Sequence, residues 1–311
     1  MSDEPFTLEQ VHLKRPVVRR ERPEPTTILN VLNLGAGWQS TVLYLMSMRQ
    51  DEPEHVPLFD AAIFADTQEE PRDVYTHLEW LQSLGGPPIL VRTAGSLGND
   101  LLAGKNTTGQ RFASIPSFVI GEGDAEPGRT QRQCTKEYKT EVVEKSIRRD
   151  LVGLLPKKQI PRNVRINQYM GLSHDEPGRI IRVQERFQAI GWAKPFFPLF
   201  DLEMTRADCG AWLKQHAPGR KIPRSACVFC PYHSNEEWRT IRDTDPEGWA
   251  RALQIDDAIR LDARANRGYK KTMYLHRSCK PLREADLSTR ESGLELYQLG
   301  FPQECEGFCG V

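Results

Sequence analysis

Neither sign of charge is in excess: 42 Lys and Arg balance 42 Asp and Glu, so the 311-residue chain has a formal net charge of zero. With no global field to gather a polyanion or an anionic membrane, any nucleic-acid contact has to come from a local patch. No apolar run approaches the roughly 18 residues of a membrane span, and no apolar signal segment opens the chain. A soluble cytoplasmic protein without a membrane partner is expected. Two phosphate signatures are also missing. The glycine turn at Gly35 and Gly37 has no Lys after its second Gly, as the Walker pattern needs, and lacks the third Gly of the dinucleotide fingerprint. The seven cysteines are an odd number, and without a secretory signal they read as metal ligands, redox thiols or buried small hydrophobes rather than a disulfide framework.

What is present begins with a β-branched and apolar run from Thr27 to Leu34. It ends in Gly35-Ala36-Gly37-Trp38-Gln39-Ser40-Thr41 and continues into a helical pattern. The two glycines permit a sharp turn with consecutive N–H groups, Ser40 and Thr41 add hydroxyls, and the helix directs its positive end at the same point. A phosphate is the natural occupant of such a turn. A second strand ends at Asp66-Thr67 before a helix opened by Glu69-Glu70-Pro71, and Pro87 to Arg92 supplies a third strand. A further strand, Asn163 to Leu172, ends in Gly171 and leads to Ser173-His174-Asp175-Glu176-Pro177-Gly178-Arg179, with Arg182 following. Alternation of strand and helix implies an α/β fold with a doubly wound parallel sheet and sites at the carboxyl ends of the strands. Arg179 and Arg182 are candidates for a bidentate clamp on phosphate or sulfate.

Residues 1–26 read as an extended charged arm, 27–200 as a nucleotide-binding α/β domain, and 201–311 as a helical C-terminal region with a Cys-x-x-Cys and a cysteine-containing tail. The stretch Arg129 to Lys139 surrounds Cys134 with cations, Arg132 and Lys139 among them, which would bind an oxyanion and stabilise a thiolate. Cys227-Val-Phe-Cys230 can bring two sulfurs to one metal or form a redox pair. The tail ends Glu304-Cys305-Glu306-Gly307-Phe308-Cys309. The placement of Cys134 well upstream of Cys227 and Cys230 resembles that in iron–sulfur adenylylsulfate reductases, which implies these three as metal ligands and leaves Cys279, Cys305 or Cys309 open as a fourth; Cys309 is the one favoured. Zinc suits four thiolates as well as an iron–sulfur cluster does.

The glycine turn resembles the PP-loop, Ser-Gly-Gly-x-Asp-Ser, of the adenine nucleotide α-hydrolase superfamily: Gly37 and Ser40 match, while Gly35 and Gln39 replace its Ser and Asp. Phe64-Ala65-Asp66-Thr67-Gln68-Glu69-Glu70 is similar to the "Phe-Ala-Asp-Thr-Gly-x-Glu" stretch of the phosphoadenosine phosphosulfate reductase-like family, and Arg132, Cys134 and Lys139 match its Arg-x-Cys element. That resemblance implies a fold of the HUP type, with Leu34 to Gly37, Gln39, Ser40, Thr41, Thr67 and Gly171 around ATP or a sulfonucleotide, PAPS or APS, with Mg²⁺. Asp66 would help place the nucleotide, Arg132, Lys139 and Arg179 would hold sulfate, and a [4Fe–4S] cluster would sit on the cysteines. In its reductase form Cys305 would be the nucleophile and a thioredoxin-like protein the reductant. Adenylation with sulfur transfer, sulfite formation, and a non-catalytic nucleotide-binding accessory of a defence or CRISPR operon are the three activities it implies. Cys305, Lys139 and Asp66 are the candidate catalytic residues across these readings, and the first and third add a nucleic-acid or operon partner.

Overall fold

The computed structural model describes residues 24–105, 115–121, 123, 127–130 and 132–288. Five parallel strands form the central sheet: β1 (Thr27–Asn33), β2 (Ala61–Asp66), β3 (Ile89–Thr93), β6 (Val164–Met170) and β7 (Ala193–Phe196), in spatial order β3-β2-β1-β6-β7. Helix α1 (Trp38–Arg49) follows β1 and α2 (Arg72–Ser83) follows β2. Successive side chains of a strand point to opposite faces. In β1, Val31 accordingly joins Ile63, Val142, Val143, Ile147 and Ile166 on one face, while Leu32 joins Val42, Leu43, Phe64 and Leu78 on the other. A sheet buried on both sides needs continuous apolar strands, which is how β1 and β2 read.

The first face is covered by one helical run in three pieces, a π-helical turn (Lys136–Thr140), α4 (Glu141–Ser146) and a second π-helical turn (Ile147–Leu151). The second is covered by α1 and α2, with α7 (Arg206–His216) packed on α1. Helix α1 is buried from Gln39 to Ser47 because α7 closes its outer side, and Cys209 of α7 is fully buried there, as its apolar surroundings suggest. Thr205 and Asp208 form a reciprocal capping box at the start of α7. Helix α5 (Pro177–Gln188) packs Ile180, Val183 and Phe187 beside β6, next to the short α6 (Pro198–Asp201).

A second core lies beyond the sheet edge. It combines Leu97 and Leu101 of α3 (Leu97–Leu102) with Tyr138, the Cys227–Phe229 turn, Trp238 of α8 (Asn235–Thr244), and Ile255 and Ile259 of α9 (Pro246–Leu261). A three-stranded antiparallel sheet ties these together: β4 (Phe118–Ile120) pairs with β5 (Gly128–Arg129) and with β8 (Thr272–Tyr274). The segment after β3 therefore packs with the chain after residue 226, and this core draws on both sides of residue 200. Ser234 caps α8 through a capping box with Glu237, and Asp245 caps α9 ahead of Pro246. No helix among the described residues is long and apolar enough to cross a membrane.

At the centre of the sheet edge, Gly171 admits no side chain. A Cβ there would lie 2.8 Å from the Ser40 N and 2.9 Å from the Gln39 carbonyl carbon, both backbone atoms of α1. Gly171→Ala is expected to cost about 1–3 kcal/mol by overpacking, read from urea unfolding; an unchanged midpoint would show that α1 and β6 can separate without loss.

Candidate functional site

The chain lays β1, β2 and β3 toward one side, then returns to place β6 on the other side of β1. The carboxyl ends of β1 and β6 thus form a topological switch point, where open α/β sheets bind ligands. The glycine turn lies there. Ala36 has φ +59° and Gly37 is extended, which directs the chain from strand into α1. Ser40 Oγ accepts the Gly35 N–H at 3.2 Å and donates to the Gly37 carbonyl at 3.4 Å, so the closing serine holds the turn on itself. Leu34, Gly35, Ala36, Gly37, Gln39, Ser40 and Thr41 are all buried.

Gln39 Nε2 donates to Ser173 Oγ at 2.7 Å and to Glu176 Oε2 at 2.5 Å, while its Oε1 accepts from Arg206 at 3.2 Å. Glu176 also accepts the Ser173 N–H and hydroxyl and forms a buried ion pair with Arg179. Burial alone would raise the Glu176 pKa; the Arg179 guanidinium, with donors from Gln39 and Ser173, outweighs it and holds the carboxyl below its ordinary value. A protein carboxylate therefore occupies the cationic, donor-rich position beside the first turn of α1. Arg182 lies one helical step along α5 and is exposed. Thr41 Oγ1 meets His77 Nε2 at 2.9 Å, a partner on α2 that no sequence motif marks. Burial, assisted by Arg220, pushes His77 down to about 4, so it is neutral at pH 7.

At the end of the neighbouring strand β2, five segments meet around a small cavity. Thr67, Arg132, Cys134, Lys139, Cys227 and Cys230 line it, together with Ile115, Phe229 and Pro231 among others. Six residues singled out in sequence thus share one wall set, although they span 164 positions of chain, from Thr67 to Cys230. Thr67 Oγ1 lies 3.2 Å from Cys227 Sγ. The cysteine turn is fixed by the Cys230 N–H on the Cys227 carbonyl at 2.8 Å and by His233 Nε2 on that same carbonyl at 2.9 Å. Arg132 lies over the Tyr232 ring at 5.5 Å. The cavity measures about 20 Å³, room for one water or a single ion. Three thiols of this kind suit a thiophilic ion, and a four-iron cluster would require the walls to move apart. Among the described residues no group of three or more His, Cys, Asp or Glu stands in metal-holding geometry. Cys279 packs against Phe118 with Tyr232; Cys305 and Cys309 lie outside the described residues.

Two carboxylates anchor this region to the sheet. Lys139 Nζ lies 3.1 Å from Glu70 Oε1, with side chains only 6 % and 0 % exposed, and Ser225 donates to Glu70 Oε2 at 3.3 Å. Glu69 accepts from Ser96 Oγ at 2.6 Å, from the Gly98 N–H at 3.0 Å and from Arg251 through two nitrogens at 2.7 and 3.0 Å; its carbonyl accepts the Val228 N–H at 2.7 Å. Asp66 accepts from the Gln68 N–H at 2.7 Å and from Tyr75 at 2.9 Å. Beside these acids opens a cleft of about 910 Å³, bordered by Gln68, Tyr75, Asn99, Val228, Glu247 and Arg251 among others. Sequence reasoning marks Glu69 and Glu70 only as the start of a helix; nothing in the pattern reveals that Lys139 and Arg251 are their partners.

A scan against protein-family models and searches of curated proteins and solved structures give no match for this chain.

Removing one member of a buried ion pair strands the other charge, which costs about 3–5 kcal/mol, whereas replacing both by apolar groups is often near neutral. Glu70→Gln should therefore destabilise strongly, and Glu70→Leu with Lys139→Met should recover most of the loss; equal stability of Glu70→Gln and the parent in urea would refute the coupling. His77 and His276 share a folded pKa of about 4 against an ordinary 6.5. Because the unfolded chain takes up these protons first, stability is full above about pH 6.5 and falls as the pH drops toward 4. His77→Gln should flatten that slope by about half in urea titrations run between pH 7 and 4.5, and an unaltered slope would count against a buried neutral His77.

Proposed function

We propose that the protein is an adenine-nucleotide-dependent enzyme of PP-loop type, in which the α-phosphorus of ATP is attacked and pyrophosphate released to activate an acceptor for thiol chemistry. One observation carries the reading. The same carboxyl edge of the parallel sheet bears the glycine turn at its switch point and, one strand over, the cavity that gathers Cys134, Cys227 and Cys230. Neither half has a purely structural need for the other. A turn of buried N–H groups at a helix start favours phosphate. Arginine and lysine beside a thiol favour the thiolate, the nucleophilic and metal-binding form. In this reading Gly35, Gly37, Ser40 and Thr41 serve the phosphates with Mg²⁺, Asp66 serves the nucleotide, and the three cysteines hold a metal or pass sulfur. Glu176 has to yield its place beside Gln39 and Arg179 for a phosphate to enter.

A sulfonucleotide reductase is the second reading, favoured by the presence of Arg132 and Lys139 in the wall around Cys134, where an oxyanion would be held. Its nucleophile would be Cys305.

The test is a product assay on protein purified without oxygen, with ATP and PAPS offered separately, Mg²⁺ and a thiol reductant. AMP and pyrophosphate from ATP are expected, with loss of at least about 10²-fold in Arg179→Met if that residue binds the reacting phosphates, as lost charge stabilisation does elsewhere. Sulfite from PAPS, abolished by Cys305→Ser, would replace the first reading by the second. Neither product, with nucleotide binding intact, would reduce the protein to a nucleotide-binding accessory. Cys227→Ser should lower the metal content of the purified protein, and full metal occupancy in that variant would remove Cys227 from the ligand set.

A further inference from the structure

The zero net charge conceals an uneven distribution. Between Lys145 and Arg165 the chain carries seven Lys and Arg and one acid, Asp150. Lys145, Arg149, Lys157, Lys158 and Arg162 are exposed. They occupy the last turns of the helical run that covers the sheet and the loop that leads into β6, away from the cysteine cavity. Three of the seven have ordinary structural uses, the first being the i,i+4 pair of Lys145 with Glu141 at 3.8 Å. Arg148 donates to the Lys158 carbonyl at the end of the helix, and Arg149 opposes the negative helix terminus. Lys157, Lys158 and Arg162 lie in a loop and have no helix to complement.

A hollow of about 410 Å³ opens beside this surface, lined by Arg92 and Thr93 of edge strand β3 and by Lys145, Ser146, Arg149 and Asp150. Asp150 is engaged by Arg92 at 2.8 Å and Ser146 at 2.7 Å, and Glu141 pairs with Lys145 at 3.8 Å, so the hollow keeps one cation in excess. At the other end of the surface, the N–H groups of Thr26 and Thr27 donate to the Asn163 carbonyl at 2.9 and 3.1 Å. The described chain thus begins next to Arg162.

We infer that this basic surface, from the Arg92 hollow across Lys157 and Lys158 to Arg162, binds the phosphate backbone of a nucleic-acid duplex. Charge complementarity selects a dense polyanion, because exposed cations on a chain of zero net charge attract only what comes within about a Debye length, roughly 10 Å. The absence of aromatic residues between Lys145 and Arg165 selects a duplex. Single strands and splayed loops are held by stacking bases on aromatic rings, which this stretch does not offer. Contacts to phosphates position a protein without reading sequence. The inference does not rest on the proposed nucleotide chemistry.

Fluorescence anisotropy on the full chain tests it, with labelled DNA duplex, RNA duplex and single strand, each of about 20 nucleotides per strand, across a salt series. Both duplexes should bind more tightly than the single strand, and the ratio between them identifies the natural partner. The variant Arg149→Gln, Lys157→Gln, Lys158→Gln, Arg162→Gln should lose at least about ten-fold in affinity, and the log–log salt slope on the DNA duplex should fall by about 3.6, near 0.9 for each lost phosphate contact. The nucleotide assay reports separately on the proposed function and should be unchanged in this variant. If the variant does not fold, acetylation footprinting of the parent protein replaces it, and duplex should protect Lys157 and Lys158. Parent-like binding by the variant, no protection of those lysines, a preference for single strands, or salt-insensitive binding would each overturn the assignment.

Discussion

The buried ion pair between Glu70 and Lys139 is the contact on which the arrangement of the site depends. Glu70 follows β2 and Lys139 belongs to the helical run that covers the sheet, so the pair fixes the sheet edge to the helix that bears Cys134. Ser225, two residues ahead of the Cys-x-x-Cys turn, shares the same carboxylate. One acid thereby sets three segments in position, and its neighbour Glu69 adds a fourth and fifth through Arg251 and the start of α3. Such pairs are costly to desolvate, and their value lies in the register they impose rather than in net stability.

A similar logic operates at the switch point. Glu176 is the meeting place of Gln39, Ser173 and Arg179, which come from α1, the loop after β6, and α5. Its charge is balanced by Arg179 and by donors, which is why it stays ionised despite burial. The close approach of Gly171 to the backbone of Gln39 and Ser40 makes this junction tight, so the turn, the carboxylate and the arginine form a single rigid assembly. The site is polar on one strand and thiol-rich on the next, with Asp66 and Thr67 between them.

Much of this was legible along the chain, for local reasons. The parallel sheet follows from apolar strands that alternate with helical patterns, and Thr205, Ser234 and Asp245 mark helix starts by a side-chain chemistry that acts within three residues. The three-stranded sheet was not legible, because β4 and β5 are only three and two residues long and β4 pairs with β8 more than 150 positions away. Nor were the roles of Arg179 and Lys139 as partners of Glu176 and Glu70. A cation near a candidate phosphate turn reads the same whether its counter-ion is a ligand or a carboxylate of the protein.

By itself the sequence determined the strand-turn-helix at Gly35, the cysteine spacing at Cys227 and Cys230, and the helix starts at Thr205, Ser234 and Asp245, since each depends on side chains close together in the chain. Only the tertiary structure decided that Cys134 joins Cys227 and Cys230 around one cavity, and that Glu69 and Glu70 bind Arg251 and Lys139. These depend on contacts between distant segments, and such contacts are selected by packing of the whole core, which no local pattern encodes.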